Sequence, residues 1–367
     1  AIDWVASEGN IVDSYFDNNE ADYGGALYLG GQASSSKVLN VLFENNKAKY
    51  NGGAMESNAT YVNLTNTLFR YNEAQYGAAL CREAGATSGF GTNNTFIGNK
   101  ASIGGAALAW MGVANIKIDD YKFINNTAVA HGGAIFVLEG SDNCKVYNSY
   151  FEGNRVPTGH GGAIDWIGEN GQIINSTFID NTAREAGAVI ICDHATNMTV
   201  INSNFTACRA TDGDGGAMEI WGQNVTVKDS NFTSCYAYER GAALAGFNAN
   251  NASLSNLVFK YGVVSGYHDP SGAVHGQGGA LYWNNATNLM FTNLTFVENE
   301  AHYQGGSVCL VDCDDSVLSG SSFDGDYADN SGGSISWINS ENATIDSCTF
   351  GNSIARMNGG SIYAENV

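Results

Sequence analysis

Aromatic, histidine and carboxylate side chains gather in and beside one irregular segment of the chain, residues 261–277. Rings can cover the face of a sugar while neighbouring polar groups bind its hydroxyls, so this combination suits recognition of a sugar or a cation. The candidate ligand-binding residues are Tyr238, Tyr267, His268, Asp269, His275, His302 and Tyr303. The same residues also fit a solvated loop that binds nothing.

Acidic residues are the groups from which polysaccharide cleavage would be built, since hydrolysis needs two carboxyl groups about 5 to 10 Å apart. One residue after an aliphatic or methionine, such carboxylates recur as Asp3, Glu56, Asp165 and Glu219. They do not fall in adjacent repeats, and the dense acidic stretch at residues 312–315 has no nearby lysine or arginine. We therefore predict no catalytic residues, no metal and no cofactor. A polysaccharide lyase or glycoside hydrolase remains the alternative.

A repeat of about 27 residues sets the elements that position these side chains. Phenylalanines recur at intervals of 26 to 28 residues, with one interval of 37, and a glycine pair or Gly-Ala follows eight to ten residues after all but one. The phenylalanines are Phe16, Phe43, Phe69, Phe96, Phe123, Phe151, Phe178, Phe205, Phe232, Phe259, Phe296, Phe323 and Phe350. A fixed period of this size is typical of a repeat array.

Short alternating apolar segments separated by Asn, Asp, Ser and Gly predict three strands and three turns per repeat. We predict an all-β fold, a right-handed parallel β-helix of about 12–13 coils. Residues 1–367 are predicted to form a single domain, cut within a repeat at both ends, with the long loop at 261–277. The phenylalanines should stack inward, and the Asn three residues after most of them should form a second stack.

Cys208 and Cys235 occupy this asparagine position in adjacent repeats. Because stacked strands lie about 4.8 Å apart, within the Cα range of a disulfide, we predict a Cys208–Cys235 bridge. Two thiols filling the asparagine position are the alternative. We assign no pairing to Cys81, Cys144, Cys192, Cys309, Cys313 or Cys348.

Asn-x-Ser/Thr sequons are numerous, and those expected at the surface would fit a secreted glycoprotein. The glycosylation candidates are Asn58, Asn63, Asn93, Asn197, Asn224, Asn251, Asn285 and Asn342.

The paired motifs GGA-[ILV] and F-x-x-N resemble the repeats of chlamydial polymorphic outer-membrane proteins. They are also similar to the adhesin-like surface proteins of methanogenic archaea, as in Ser176-Thr177-Phe178-Ile179-Asp180-Asn181-Thr182-Ala183. The resemblance covers nearly the whole chain and implies an extracellular β-helix used in surface display or adhesion. It supplies no catalytic residues.

A net charge of −21 argues against nucleic-acid binding, which requires a basic surface. No apolar run is long enough to span a membrane within the segment. We therefore expect a non-catalytic extracellular rod for cell-surface adhesion, or an envelope or filament structure, located at the cell surface. The expected partners are cell-surface glycans or proteins, or neighbouring copies that stack at the coil ends, because uncovered sheet edges invite pairing.

Overall fold

The computed structural model describes residues 2–266 and 275–367 of the chain. It forms two compact units, the first ending at Asn181 and the second beginning at Thr182. In each unit parallel strands from successive coils pair to build three sheets, here called A, B and C. Sheet A follows the glycine pairs, sheet B contains the repeating phenylalanines, and sheet C precedes the glycine pairs. The prediction that residues 1–367 form a single domain stays a prediction.

In the first unit every strand of sheet A after the first follows a Gly-Gly or Gly-Ala turn. They span Ile2–Trp4, Leu27–Leu29, Met55–Ser57, Leu80–Glu83, Leu108–Met111, Ile135–Val137 and Ile164–Trp166. Those of sheet B span Asn10–Val12, Tyr15–Asp17, Lys37–Leu39, Leu42–Glu44, Asn63–Thr65, Leu68–Arg70, Phe90–Ile97, Lys117–Ile124, Lys145–Tyr147, Tyr150–Glu152, Gln172–Ile174 and Thr177–Ile179. Those of sheet C span Glu20–Ala21, Lys47–Ala48, Glu73–Tyr76, Lys100–Gly104, Thr127–Ala128 and Arg155–His160.

The second unit repeats this order of strands. Its sheet A spans Val189–Ile191, Met218–Ile220, Leu244–Phe247, Leu281–Thr287, Val308–Asp314, Ile335–Ile338 and Ile362–Glu365. Its sheet B spans Thr199–Ile201, Asn204–Thr206, Thr226–Lys228, Asn231–Thr233, Ser253–Ser255, Val258–Lys260, Met290–Thr292, Thr295–Val297, Val317–Ser319, Ser322–Asp324, Thr344–Asp346 and Thr349–Gly351. Its sheet C spans Thr182–Glu185, Arg209–Ala210, Tyr236–Ala237, Val263–Val264, Glu300–Ala301, Tyr327–Ala328 and Ile354–Ala355.

The phenylalanines stack as the 27-residue period predicts. Within each unit successive rings lie 4.6 to 5.1 Å apart between centroids and almost parallel, as for Phe69 on Phe96. The spacing matches that of paired strands, so each coil adds one ring to a continuous apolar column. The predicted fold class, an all-β parallel β-helix of about 13 coils with a repeat of about 27 residues, is confirmed.

A second column consists of buried asparagines, also as predicted. The side-chain amide of Asn72 donates to Asn99 Oδ1 at 2.9 Å and to the carbonyl of Phe43 at 3.2 Å, and the pattern repeats from Asn19 to Asn181. Each amide thereby satisfies turn backbone that no strand pairs, at a position where an unpaired group would cost about 1–3 kcal/mol.

Sheet B differs from the prediction, because most of its coils carry two short strands instead of one. The residue three before each phenylalanine adopts a left-handed conformation, with φ of 54° at Asn40 and 53° at Asn66. Asn tolerates this region better than other side chains with a Cβ. The exposed amides at this position also bond from coil to coil, as Asn66 does to Asn40 at 3.2 Å. The prediction of three strands per coil missed this bend.

The predicted Cys208–Cys235 disulfide is wrong. All eight cysteines lie among the described residues, and no two of them are at disulfide-bonding distance. The Cys208 thiol contacts the carbonyl of Thr206 at 3.6 Å, and the Cys235 thiol contacts that of Phe205 at 3.8 Å. The Cys235 thiol thus takes the place of the asparagine amide, and the neighbouring Cys208 thiol together with burial raises the pKa of Cys235. A disulfide would require both to turn away from these carbonyls.

Candidate ligand-binding clefts

Sheet A has an outward face that is nevertheless buried. The middle residue of each strand points away from the coil interior, yet Glu56, Cys81, Asp165 and Glu219 are almost fully covered. The cover comes from residues that directly precede the glycine pairs. His131, for example, directly precedes a glycine pair, and its Nδ1 lies at hydrogen-bond distance, 2.8 Å, from Asp165 Oδ2. Two columns of side chains, one before and one after the glycine pair, therefore meet in the same place.

The glycines make this meeting possible. Gly215 has a φ of +59°, and a Cβ on Gly216 would lie 2.2 Å from the carbonyl oxygens of Tyr236 and Ala242. Only glycine fits such a close approach of two backbones. The reversal folds Asp214 back over the strand Met218–Ile220, which follows it by four residues.

In the second unit this arrangement surrounds Arg240. Its guanidinium donates to both oxygens of Asp214 at 2.8 and 3.0 Å, and to Glu239 Oε2 at 3.0 Å. The rings of Phe247 and Tyr282 lie 5.1 and 5.2 Å from its Cζ atom. Burial lowers the pKa of Arg240, but the contacts with Asp214 outweigh burial, so the guanidinium stays charged.

Two carboxyl groups beside Arg240 titrate differently. Burial raises the pKa of Asp214 to about 6 against the opposing effect of Arg240. Burial and, second, the Asp214 charge raise the pKa of Glu219 to about 8, so this group is mostly a neutral acid at pH 7. Glu219 Oε1 accepts the indole N–H of Trp221 at 2.7 Å, whereas its Oε2 has no hydrogen-bond partner among the described residues.

An open cleft of about 430 Å³ lies next to this group. We call it the arginine cleft, and its polar lining is Arg240, Gln277, Tyr282, Tyr303, Gln304 and Glu365. Among the described residues, neither Asp214 nor Glu219 lines it, and Glu219 is only 5% exposed.

The residues proposed from the sequence fall partly at this cleft. The rings of Tyr238 and His275 lie 6.4 Å apart, and His275 Nδ1 is 3.5 Å from Glu239 Oε2. Tyr303 lines the cleft, and its backbone N–H donates to the Gly276 carbonyl at 2.7 Å. His302 instead bonds Glu300 at 3.2 Å. Tyr267, His268 and Asp269 lie outside the described residues.

Asp214, Glu219, Arg240 and Tyr282 were missed as a group. The sequence predicts no paired carboxylates in adjacent repeats with a basic side chain nearby, whereas Asp214 bonds Arg240 of the next coil and lies near Glu219. The available signal was the position of Asp214 and Arg240, each directly before a glycine in consecutive repeats.

The first unit has a corresponding cleft of about 650 Å³, which we call the acidic cleft. Its polar lining includes Asp3, Tyr28, Asn51, Glu56, Asn58 and Glu83. Burial and then the Glu83 charge raise the pKa of Glu56 to about 8. The Asn58 amide donates to the Tyr28 hydroxyl at 3.1 Å.

The sequon asparagines are placed as follows. Asn93, Asn197, Asn224, Asn251, Asn285 and Asn342 are exposed, whereas Asn58 and Asn63 are half-buried. Several exposed amides bond the coil before, as Asn224 does to Asn197 Oδ1 at 3.1 Å. Their glycosylation stays a prediction.

Two segments match the model of the Chlamydia polymorphic membrane protein repeat, residues 40–54 and 120–138. Each contains one F-x-x-N and one Gly-Gly-Ala motif, so part of the predicted resemblance is confirmed. The similarity to adhesin-like proteins of methanogenic archaea stays a prediction. No match was found among curated protein sequences.

Among solved structures, the chain is similar to PfbA, a surface adhesin of Streptococcus pneumoniae, at 15% identity and a TM-score of 0.52, covering 96% of this chain and 85% of that one. It is similar to the A-module of the mannuronan C-5 epimerase AlgE4 of Azotobacter vinelandii at 11% identity and a TM-score of 0.46, covering 93% and 91%. It is also similar to the alginate lyase AlyF-OU02 at 12% identity and a TM-score of 0.49, covering 99% and 83%. At 15% identity the likeness to PfbA shows a shared β-helix fold. No helix in the described part of the chain is long and apolar enough to cross a membrane.

Proposed function

We propose that the chain is a non-catalytic β-helix displayed at the cell surface, where it binds glycans in the arginine cleft as part of adhesion. The observation that carries this proposal is that Arg240 is already paired, while neutral polar side chains line the cleft beside it. Its guanidinium donates to Asp214 and Glu239, so it stabilises the wall of the cleft and is not available to bind an anionic ligand. Gln277, Tyr303 and Gln304 then offer amide and hydroxyl groups suited to neutral sugar hydroxyls.

The repeat matches and the surface adhesin among the similar structures support placement at the cell surface. Against catalysis stands the position of the two carboxyl groups with raised pKa values. Asp214 and Glu219 are buried behind Arg240, and a general acid must come within hydrogen-bond reach of its substrate.

Glycan binding by the full chain and by Tyr303→Ala tests the proposal, with a glycan array followed by calorimetry on the best ligand. We expect Tyr303→Ala to weaken binding about tenfold, since stacked rings and their hydroxyls each contribute about 1 kcal/mol. Tyr61→Ala is the matched control, because Tyr61 is an exposed tyrosine of the first unit. Equal binding by all three proteins contradicts a role for the arginine cleft.

Polysaccharide cleavage is the second candidate function. It is favoured by one observation, the separation of the Asp214 and Glu219 pKa values beside a charged arginine, since such pairs often supply an acid and a base. A panel of neutral and acidic polysaccharides is incubated with the protein between pH 5 and 9, and new chain ends are measured. Turnover that Glu219→Gln abolishes establishes the enzyme and replaces the non-catalytic proposal.

A further inference from the structure

The acidic cleft of the first unit differs from an ordinary acidic surface because its carboxyl groups are only partly satisfied. Asp3, Asp22, Glu56 and Glu83 line it, and no lysine or arginine is among its described lining residues. The charge of the cleft is therefore negative with no cation of its own. A ligand that enters it must tolerate or neutralise this charge.

Two acceptor atoms in the cleft lack partners. Glu56 is 2% exposed, and its Oε2 has no hydrogen-bond partner among the described residues. The same holds for Asn58 Oδ1, although the Asn58 amide donates to Tyr28. Glu56 and Asn58 are two residues apart in extended chain and thus share a face. Each unpaired buried acceptor costs about 1–3 kcal/mol, so a ligand that brings donors to both is favoured.

A primary ammonium group fits these demands. It carries one positive charge and three donors, and the cleft offers Glu56 Oε2, Asn58 Oδ1 and the Glu83 carboxylate as acceptors. A metal ion fits less well, because no group of three His, Cys, Asp or Glu side chains in the described part of the chain is placed to hold one. The asparagine amides and the ring of Tyr28 suit a sugar better than a long apolar side chain.

We propose that the acidic cleft binds the ammonium group of an unacetylated amino sugar within a glycan. The site lies apart from the arginine cleft in its residues and rests on the proposed function only in that its ligand is a glycan. It also assigns the first unit a ligand class of its own.

Binding should be linked to proton release. Tyr28, Cys81 and Glu83 face Glu56, with Asp3 on the far side of Tyr28, and the Glu56 carboxyl is mostly protonated at pH 7 because its pKa is raised to about 8. An arriving ammonium favours the carboxylate, so the Glu56 proton passes to the buffer as the ion pair forms. A neutral sugar has no such effect.

The probe is a glucosamine tetrasaccharide, and its fully N-acetylated counterpart is the control ligand. Calorimetry at pH 7 in two buffers of different ionisation enthalpy gives both affinity and protons released. We expect the amine form to bind with release of a substantial fraction of one proton, and the acetylated form to bind at least tenfold more weakly. Equal affinity for the two forms overturns the proposal.

Variants locate the site. Glu56→Gln keeps the shape but replaces an acceptor with a donor, and should weaken binding about tenfold and abolish proton release. Glu169→Gln removes one exposed carboxylate elsewhere in the first unit and should change affinity less than twofold. Unchanged binding by a folded Glu56→Gln variant rejects the site.

Two further experiments distinguish this proposal from the proposed function of the arginine cleft and from binding of a lysine side chain. Tyr303→Ala should leave amine binding intact, so failure of the arginine cleft and failure of the acidic cleft are distinguishable. Acetyl-lysine methylamide, blocked at its α-amine and with a free side-chain ammonium, tests the other source of a primary amine. If it binds as tightly as the tetrasaccharide, the sugar assignment is wrong.

Discussion

A glutamate at the same repeat position lines the acidic cleft and lies buried beside the arginine cleft, with different neighbours in the two places. Glu56 follows Met55 and Glu219 follows Met218, each in the middle of a sheet A strand. Both have a pKa raised to about 8. Glu56 faces another carboxylate and no cation, whereas Glu219 lies beside Arg240. A neighbouring arginine thus does not restore an ordinary pKa when other carboxylates already engage it, and burial is the largest cause in both clefts.

The difference lies in what remains for a ligand. In the arginine cleft Arg240 is paired with carboxylates inside the wall, and amides and hydroxyls line the opening together with one carboxylate, Glu365. In the acidic cleft the carboxyl groups themselves line the opening, with acceptors unsatisfied. The first arrangement suits neutral ligands and the second suits cationic ones.

The largest effect should come from removing the cation. Arg240→Ala leaves Asp214 and Glu239 without their partner, and we expect a loss of about 3–5 kcal/mol in the free energy of unfolding. Urea denaturation measures it. Arg209→Ala, which removes an exposed arginine over the Tyr236 ring, should cost less than about 1 kcal/mol. Adding Asp214→Asn to Arg240→Ala should recover part of the loss, and no recovery would show that packing on Phe247 and Tyr282 dominates.

Glu219→Gln should give the next largest effect, and its sign depends on pH. Folding raises the Glu219 pKa from 4.5 to about 8, so the folded state holds this proton more tightly. The contribution of Glu219 to stability is therefore full below pH 4.5 and is lost as pH rises through 8. We therefore compare the free energy of unfolding of Glu219→Gln with that of the wild type. We expect the difference, variant minus wild type, to be about 1–3 kcal/mol larger at pH 9 than at pH 4. A pH-independent difference between the two proteins contradicts the raised pKa.

Glu56→Gln should change the pH dependence of the free energy of unfolding in the same direction, by a smaller amount. Besides burial, one carboxylate, Glu83, raises the pKa of Glu56, whereas Asp214 and Glu185 both raise that of Glu219, so we expect about 1 kcal/mol between pH 4 and pH 9. Thermal unfolding across this range measures the difference. If Glu56→Gln gains more stability between pH 4 and pH 9 than Glu219→Gln does, the pKa of Glu56 is the more strongly raised of the two, and the comparison is reversed.

The sequence predicted the repeating core but not the clefts, for a physical reason. Phe69 and Asn72 each meet their own copy in the next coil, so a period along the chain is enough to find their contacts. Arg240 meets Asp214 in its own column, one coil away, but it meets Tyr282, which belongs to another column, only because the glycine turns fold one column over the other. The Cys208–Cys235 prediction had correct spacing and failed on side-chain direction, which a repeat period does not contain.

The long interval between Phe259 and Phe296 has a consequence for how such a chain can change through evolution. Despite ten more residues than usual, Phe259 pairs with Phe296, and Arg240 pairs with Gln277. The coil therefore absorbs new sequence at its corner without shifting the register of its neighbours. Because every coil presents the same ring and a similar turn to the next, recombination between repeats can add or delete whole coils while leaving their contacts interchangeable. Variation in the number of coils and in loop length thus leaves the contacts between coils intact, whereas a single-residue slip within a strand would turn its core side chains outward.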